Sequence, residues 1–139
     1  VIGPTLLTRR CLETILRKGG DKIVAVFALK NKYARQKARF TIFDDLANDY
    51  KFKLYKVDNI NSEENIRIIK KVKPDLILEL GWSQILSKEI IKIPKKGCVG
   101  VHAAMLPKNR GGASLNWAII KNAKEWGVSL YYLDGQIDT

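Results

Sequence analysis

His102 is the only histidine in the 139 residues of this chain. It closes a short apolar run, Gly97-Cys98-Val99-Gly100-Val101. Histidine is the side chain whose ordinary pKa lies nearest neutrality, so it can give or take a proton at working pH. A Leu106-Pro107 break and a basic, glycine-rich loop, Lys108-Asn109-Arg110-Gly111-Gly112, follow directly. A strand-forming run therefore delivers one imidazole to the lip of a loop that can close on a ligand. Asp138 comes 36 residues after His102, in the turn Asp134-Gly135-Gln136-Ile137-Asp138-Thr139. A carboxylate facing an imidazole fixes its orientation and stabilises its charged form. The pair can then carry a proton or steady a developing oxyanion.

Other chemistries lack their residues. Neither cysteine sits in a nucleophile elbow, and no serine lies in a Gly-x-Ser-x-Gly turn. Gly-x-Gly-x-x-Gly and Walker patterns are absent, which argues against a dehydrogenase or a kinase. One histidine and two dispersed cysteines do not make a metal site. What remains economical is group transfer between two bound substrates, the amine of one attacking the carbonyl of the other. Such a protein orients the pair, handles one proton and stabilises charge on oxygen.

The elements that must hold these residues read as strands alternating with amphipathic helices. Leu6, Leu7, Cys11, Leu12, Ile15 and Leu16 share a helical face, with Gly19-Gly20 as the stop. Ile23–Leu29 is a continuous apolar run, the mark of a strand covered on both faces. A helix over 41–48 leads to a short strand at Lys53-Leu54-Tyr55. Asn61-Ser62-Glu63-Glu64 reads as a capping box for a helix burying Ile66, Ile69 and Val72, ended by Lys73-Pro74. Strands follow at 76–80, 98–101 and 128–133, with helices at 87–91 and 114–121 between them. The alternation predicts an α/β fold, a Rossmann-like doubly wound and mostly parallel sheet. Ligands in such sheets bind beyond the carboxyl ends of strands, which selects the segments after Leu80, Val101 and Leu133.

Composition sets outer limits. With 46% hydrophobic and 28% charged residues the chain reads as one folded domain. No apolar run approaches the ~20 residues of a bilayer span, and a cytoplasmic protein with no membrane partner is expected. Cys11 and Cys98 read as reduced, buried thiols. The net charge of +11, from 25 Lys+Arg against 14 Asp+Glu, admits anionic partners. A solvated lysine-rich surface is the plainer reading, with the run from Lys30 to Arg39 as its densest part. Val1-Ile2-Gly3-Pro4 reads as the end of a strand, and Thr139 closes no element, so a fragment of a longer protein is expected.

Together, His102-x-x-x-Leu106-Pro107-x-x-Arg110-Gly111, the following Trp117-Ala118-Ile119 and the closing Gly127-Val128…Asp134…Ile137-Asp138-Thr139 resemble the N-terminal catalytic domain of formyltransferases. The resemblance covers residues 1–139 and implies the formyltransferase fold, with 10-formyltetrahydrofolate as formyl donor. It implies that His102 handles the proton and stabilises the oxyanion, with Asp138 holding it. Folate would lie between Trp82-Ser83-Gln84-Ile85-Leu86 and the Leu133-Asp134-Gly135-Gln136 turn. Lys108, Asn109, Arg110, Gly111 and Gly112 would face the acceptor. Gly3-Pro4-Thr5-Leu6-Leu7 replaces the glycine- and serine-rich phosphate loop of the glycinamide ribonucleotide branch. The segments Leu80–Leu86 and Leu106–Gly112 look most like the nucleotide-sugar branch, whose acceptor is an amino sugar. Methionyl-tRNA is the alternative acceptor; a homodimer is admitted, and the sequence leaves the oligomeric state open.

Two positions depart from the family pattern. The family has Asn-x-His, its amide donating to the formyl oxygen, where this chain has Gly100. Loss of one such donor costs about 3 kcal/mol of transition-state stabilisation, so a degenerate, non-catalytic member is a third reading. Asn109 and Asn116 are the amides nearby in sequence. Ser114 stands where the family commonly has proline.

Overall fold

Apolar runs become the strands of one sheet, and the amphipathic segments become helices on both its faces. The computed structural model describes residues 1–19, 22–136 and 138. Gly20, Ile137 and Thr139 of the motifs above lie outside the described residues. The elements in chain order are α1 (Leu6–Lys18), β1 (Ala25–Leu29), α2 (Asp44–Tyr50), β2 (Lys53–Val57), α3 (Glu63–Val72), β3 (Ile77–Glu79), α4 (Lys88–Ile91), β4 (Cys98–His102), α5 (Ser114–Ile120) and β5 (Ser129–Tyr132).

β1 pairs in parallel with β2, and β3 with β4. The N-terminal segment joins the two halves, because Ile2 bridges Phe27 and Glu79, in parallel with each. Ile2 N–H donates to Leu78 (2.8 Å), Leu80 N–H donates to Ile2 (2.8 Å), and Phe27 N–H donates to Val1 (2.8 Å). Beyond β4 lies β5, which runs antiparallel, with Val99 opposite Tyr132 and His102 opposite Ser129. The α/β, mostly parallel class is therefore correct, with an antiparallel strand at one side.

Alternation along β1 divides the core. Ala25, Phe27 and Leu29 join Ile2, Ile66, Ile69, Ile77, Ile90 and Cys98 beneath α3 and α4. Val26 and Ala28 join Leu12, Phe43, Leu46 and Phe52 beneath α1 and α2. Each large apolar side chain so buried contributes about 1.5–3 kcal/mol, and cover on both faces explains why β1 is an unbroken apolar run.

Local hydrogen bonds shift some boundaries. Leu6 and Leu7 are exposed, because α1 turns Thr8 and Leu12 inward instead. Thr8 Oγ1 donates to the Leu80 carbonyl at 2.8 Å, fixing that face. α2 starts at Asp44, since Thr41 N–H is committed to the Pro4 carbonyl (2.9 Å) and the chain is still extended there. Ser62 caps α3 through Asn65 N–H, but the residue at the reciprocal position is Asn65, whose amide donates to Asn59. Within the basic run, Lys30 and Lys32 both pair with Asp58, holding its carboxyl well below the usual range. Both thiols are free; Cys98 is buried while Cys11 is only partly covered. No helix among the described residues is long and apolar enough to cross a membrane. Leu115, Trp117, Ile119 and Ile120 of α5 stand exposed, as do Leu130 and Tyr132 of β5.

Candidate functional site

β4 sets the histidine. Strand alternation puts Cys98, Gly100 and His102 on one face, and the apolar rung at Cys98 anchors that face in the core. At the strand's end, His102 Nδ1 lies 3.5 Å from Asp138 Oδ2. Its Nε2 lies 3.3 Å from the Asn109 carbonyl. A neutral ring donates to only one of these acceptors at a time, whereas a doubly protonated ring serves both. The loop between is pinned from behind: Ser129 Oγ donates to the Ala104 carbonyl (2.8 Å) and accepts from Leu106 N–H (3.0 Å). The Leu106–Pro107 peptide is cis.

Asp138 gathers three elements. Its Oδ2 accepts from Gly111 N–H at 2.8 Å and its Oδ1 from the Tyr131 hydroxyl at 2.7 Å. The carboxylate thus ties the loop after β4 and strand β5 to the imidazole. Burial first, and then the hydrogen bond to Asp138 and its charge, push the Tyr131 phenol up, so it remains a donor.

The carboxyl-end rule selects the segment after Leu133 for a reason the structure corrects. β5 is antiparallel, so Leu133 lies beside the start of β4, its N–H donating to the Cys98 carbonyl (2.8 Å). The loop then doubles back across the sheet face to bring Asp138 to His102. Between this returning loop and the loop after β3 lies a cavity of about 130 Å³. It is small beside the ~300–1,000 Å³ of whole-ligand pockets, a size that suits one flat ring system with the rest of a larger ligand outside. Trp82, Ser83, Gln84, Ile85, Leu86, Leu133, Gly135, Gln136 and Asp138 line it. Gln84 bolts the first of these loops to its neighbour, accepting from Ile60 N–H (3.0 Å) and donating to the Asp58 carbonyl (2.9 Å).

The other predicted residues fall elsewhere. Asp134 is exposed, and its carboxylate accepts from Gln136 N–H (2.9 Å) to form the turn rather than to line the cavity. Lys108, Asn109, Arg110 and Gly112 are exposed on the loop beyond His102. Of that loop, Asn109 and Gly111 reach the His102–Asp138 pair, and both do so through backbone atoms. Asn116 is exposed on α5.

Glu79 was not among the residues singled out from sequence, yet it lines the cavity. It sits opposite Gly100 in the β3–β4 register, and Gly100 in turn sits opposite Tyr131. Its Oε1 accepts the Trp82 N–H. Burial pushes its carboxyl up to about 7; the Trp82 and Gly81 N–H groups oppose this, and Asp138 adds to it. A lone carboxylate in the otherwise apolar Leu76–Leu80 run was the signal available. The Trp82 indole N–H is buried and has no partner among the described residues.

The sign of the Glu79 effect is testable. A carboxyl raised from 4.5 to about 7 on folding stabilises the fold fully below 4.5, loses that contribution between the two values, and is constant above. Glu79→Gln should therefore gain stability relative to the parent as pH rises from 4.5 to 7, by on the order of 3 kcal/mol. Urea midpoints at pH 5 and pH 8 measure this. Equal differences at both pH values would place the titration elsewhere.

A formyl transferase family model matches residues 2–139. A methionyl-tRNA formyltransferase of Alkaliphilus oremlandii is 35% identical over 130 residues, covering 92% of this chain and 42% of the relative. That of Alkaliphilus metalliredigens is 40% identical over 119 residues, covering 84% and 38%. The chain thus spans about two fifths of the length of these relatives. Among solved structures, phosphoribosylglycinamide formyltransferase of Bacillus halodurans superposes with a TM-score of 0.78 at 16% identity, covering 99% of this chain and 72% of that one. A Shewanella sugar N-formyltransferase gives 0.65 at 17%, covering 99% and 51%. The fold, the match over nearly all its residues and the identity to curated relatives agree: this chain belongs to the formyl transferase family.

Proposed function

We propose that residues 1–139 form the N-terminal catalytic domain of an enzyme that moves a formyl group from 10-formyltetrahydrofolate to a primary amine. The observation that carries this is the His102–Asp138 pair at the edge of a ring-sized cavity whose wall holds a buried, unpartnered indole N–H. The fit to folate is chemical. A pterin has a flat face for Trp82 and Leu86 and a polar edge that takes hydrogen bonds. The backbone groups of Ser83–Leu86 and of Asp134, Gly135 and Gln136 can meet that edge. The donor supplies an N-formyl carbonyl as the electrophile. His102 takes the proton that the attacking amine loses and passes it to the departing nitrogen, while Asp138 holds the ring and balances its charge. Lys108 and Arg110, exposed on the loop beyond His102, are the anion contacts for the acceptor.

The acceptor we favour is an amino sugar on a nucleoside diphosphate, from the resemblance of Leu80–Leu86 and Leu106–Gly112 to that branch. Methionyl-tRNA is the second reading, favoured by the relatives at 35% and 40% identity and by the net charge of +11. Calorimetry with 5-formyltetrahydrofolate, a stable donor mimic, tests the common part. Saturable one-to-one binding is expected, and a folded sample that binds no folate would sink the proposal. Salt then separates the acceptors, since affinity for tRNA falls steeply as counterions are added and affinity for a nucleotide sugar falls much less.

A further inference from the structure

We propose that Glu79 donates a hydrogen bond from Oε2 to the formyl oxygen of the donor, and that Gly100 is what gives it room. This rests on the folate reading above and names a catalytic residue beyond His102 and Asp138. The geometry starts from the glycine. A Cβ built on Gly100 would lie 3.3 Å from Glu79 Oε2, 3.2 Å from Tyr131 Cε1 and 3.0 Å from Leu133 Cδ2. A side chain at position 100 and the Glu79 carboxyl therefore compete for one space. With glycine there, Glu79 of β3 lines the cavity opposite Gly100, which precedes His102 by two residues on the same face of β4.

The two carboxyl oxygens have different tasks. Oε1 accepts the Trp82 N–H and so helps hold the loop that walls the cavity. Oε2 is left toward Gly100. A carboxylate offers only lone pairs and would repel a carbonyl oxygen, whereas a carboxylic acid offers one O–H. Burial favours the acid, keeping the group protonated up to about pH 7. The groups that face it divide. The Asp138 charge, from the loop after β5, also favours the acid, and the Tyr131 phenol comes from β5, whereas the N–H groups of Trp82 and Gly81, from the loop after β3, favour the carboxylate without outweighing burial. No lysine or arginine is among the residues lining the cavity. Lys88 of α4 packs its stem against Gly135 of the returning loop.

In the transfer, one bond forms between the amine nitrogen and the formyl carbon, and the bond from that carbon to the folate nitrogen breaks. One proton leaves the amine and reaches the folate nitrogen through His102. Negative charge rises on the formyl oxygen and falls again, and the Glu79 proton is shared with that oxygen without being transferred. A donor aimed at such an oxygen typically contributes ~100-fold or more to the rate.

The test is binding of 10-formyl-5,8-dideazafolate against its unformylated parent, by calorimetry on the full chain from pH 5.5 to 8.5. The wild type should favour the formylated ligand below pH 7 by ~3- to 10-fold, the worth of one neutral hydrogen bond, and lose that preference above. Glu79→Gln keeps an acceptor for Trp82 and an N–H donor but does not ionise. It should bind both ligands somewhat more weakly, with a preference that no longer depends on pH. Glu79→Leu should show no preference at any pH. A pH-dependent preference that survives in Glu79→Gln would assign it to His102 and overturn the inference, and so would an undiminished preference in Glu79→Leu. Wild type that binds neither ligand overturns the folate reading itself, an outcome distinct from both. Should Glu79→Leu fail to fold, the profile of Glu79→Gln decides alone.

Discussion

Replacing His102 by alanine is expected to lower kcat/KM for formyl transfer by on the order of 10²–10⁴, the range for losing a positioned proton carrier. Binding of 5-formyltetrahydrofolate should change much less, because His102 is not among the residues that line the ring-sized cavity. Asp138→Asn should cost the same order in rate for a different reason. The carboxylate receives Gly111 N–H and the Tyr131 hydroxyl as well as facing the imidazole. An amide in its place must turn an NH₂ toward one of these donors, so the loop after β4 shifts and the ring loses its counter-charge. Asp138 also lines the cavity, so here folate affinity should fall along with the rate. Steady-state kinetics beside calorimetry separates the two patterns. A His102→Ala enzyme with parental turnover would remove the imidazole from the chemistry.

Gly3→Ala is expected to be among the most destabilising single changes this chain can take. A Cβ there would stand 2.2 Å from Thr8 Oγ1 and 2.5 Å from the Leu80 carbonyl oxygen, and the latter is backbone that cannot swing aside. The new methyl group would force apart the Thr8–Leu80 hydrogen bond and the N-terminal segment that joins the two halves of the sheet. Overpacking of about 1–3 kcal/mol, added to about 1–3 kcal/mol for stranding buried polar atoms, gives roughly 2–6 kcal/mol. That is a large share of a domain's net stability. Gly112→Ala is the control, since none of the described residues comes within 4 Å of its Cβ. Guanidinium midpoints for both would decide it, and a Gly3→Ala midpoint as close to the parent as that of Gly112→Ala would refute the argument.

The strand–helix alternation was legible because it depends on side-chain periodicity, which one chain carries by itself. Ser87 as a cap and Lys73-Pro74 as a stop were legible for the same local reason. The His102–Asp138 approach was also foreseen, through spacing and motif together. The path that achieves it was not. Antiparallel β5 and the return of its loop across the sheet depend on pairing partners that no local pattern encodes. Glu79 was missed for a related reason, since its importance comes from Gly100 one strand away. Asn109 and Gly111 act through backbone atoms, for which residue type is a poor guide.

The two sides of the sheet are finished differently. β2 closes one side with Lys53 and Lys56 along it, and Lys53 is exposed. β5 closes the other as Ser129-Leu130-Tyr131-Tyr132, without a charge, and turns Leu130 (72% exposed) and Tyr132 (67%) outward. Lysine on a bordering strand discourages another chain from adding to the ladder, because pairing would desolvate its ammonium group. An uncharged border with apolar side chains standing out from it carries no such penalty. Among the described residues, the deterrent to a further strand is therefore one-sided, present along β2 and missing along β5.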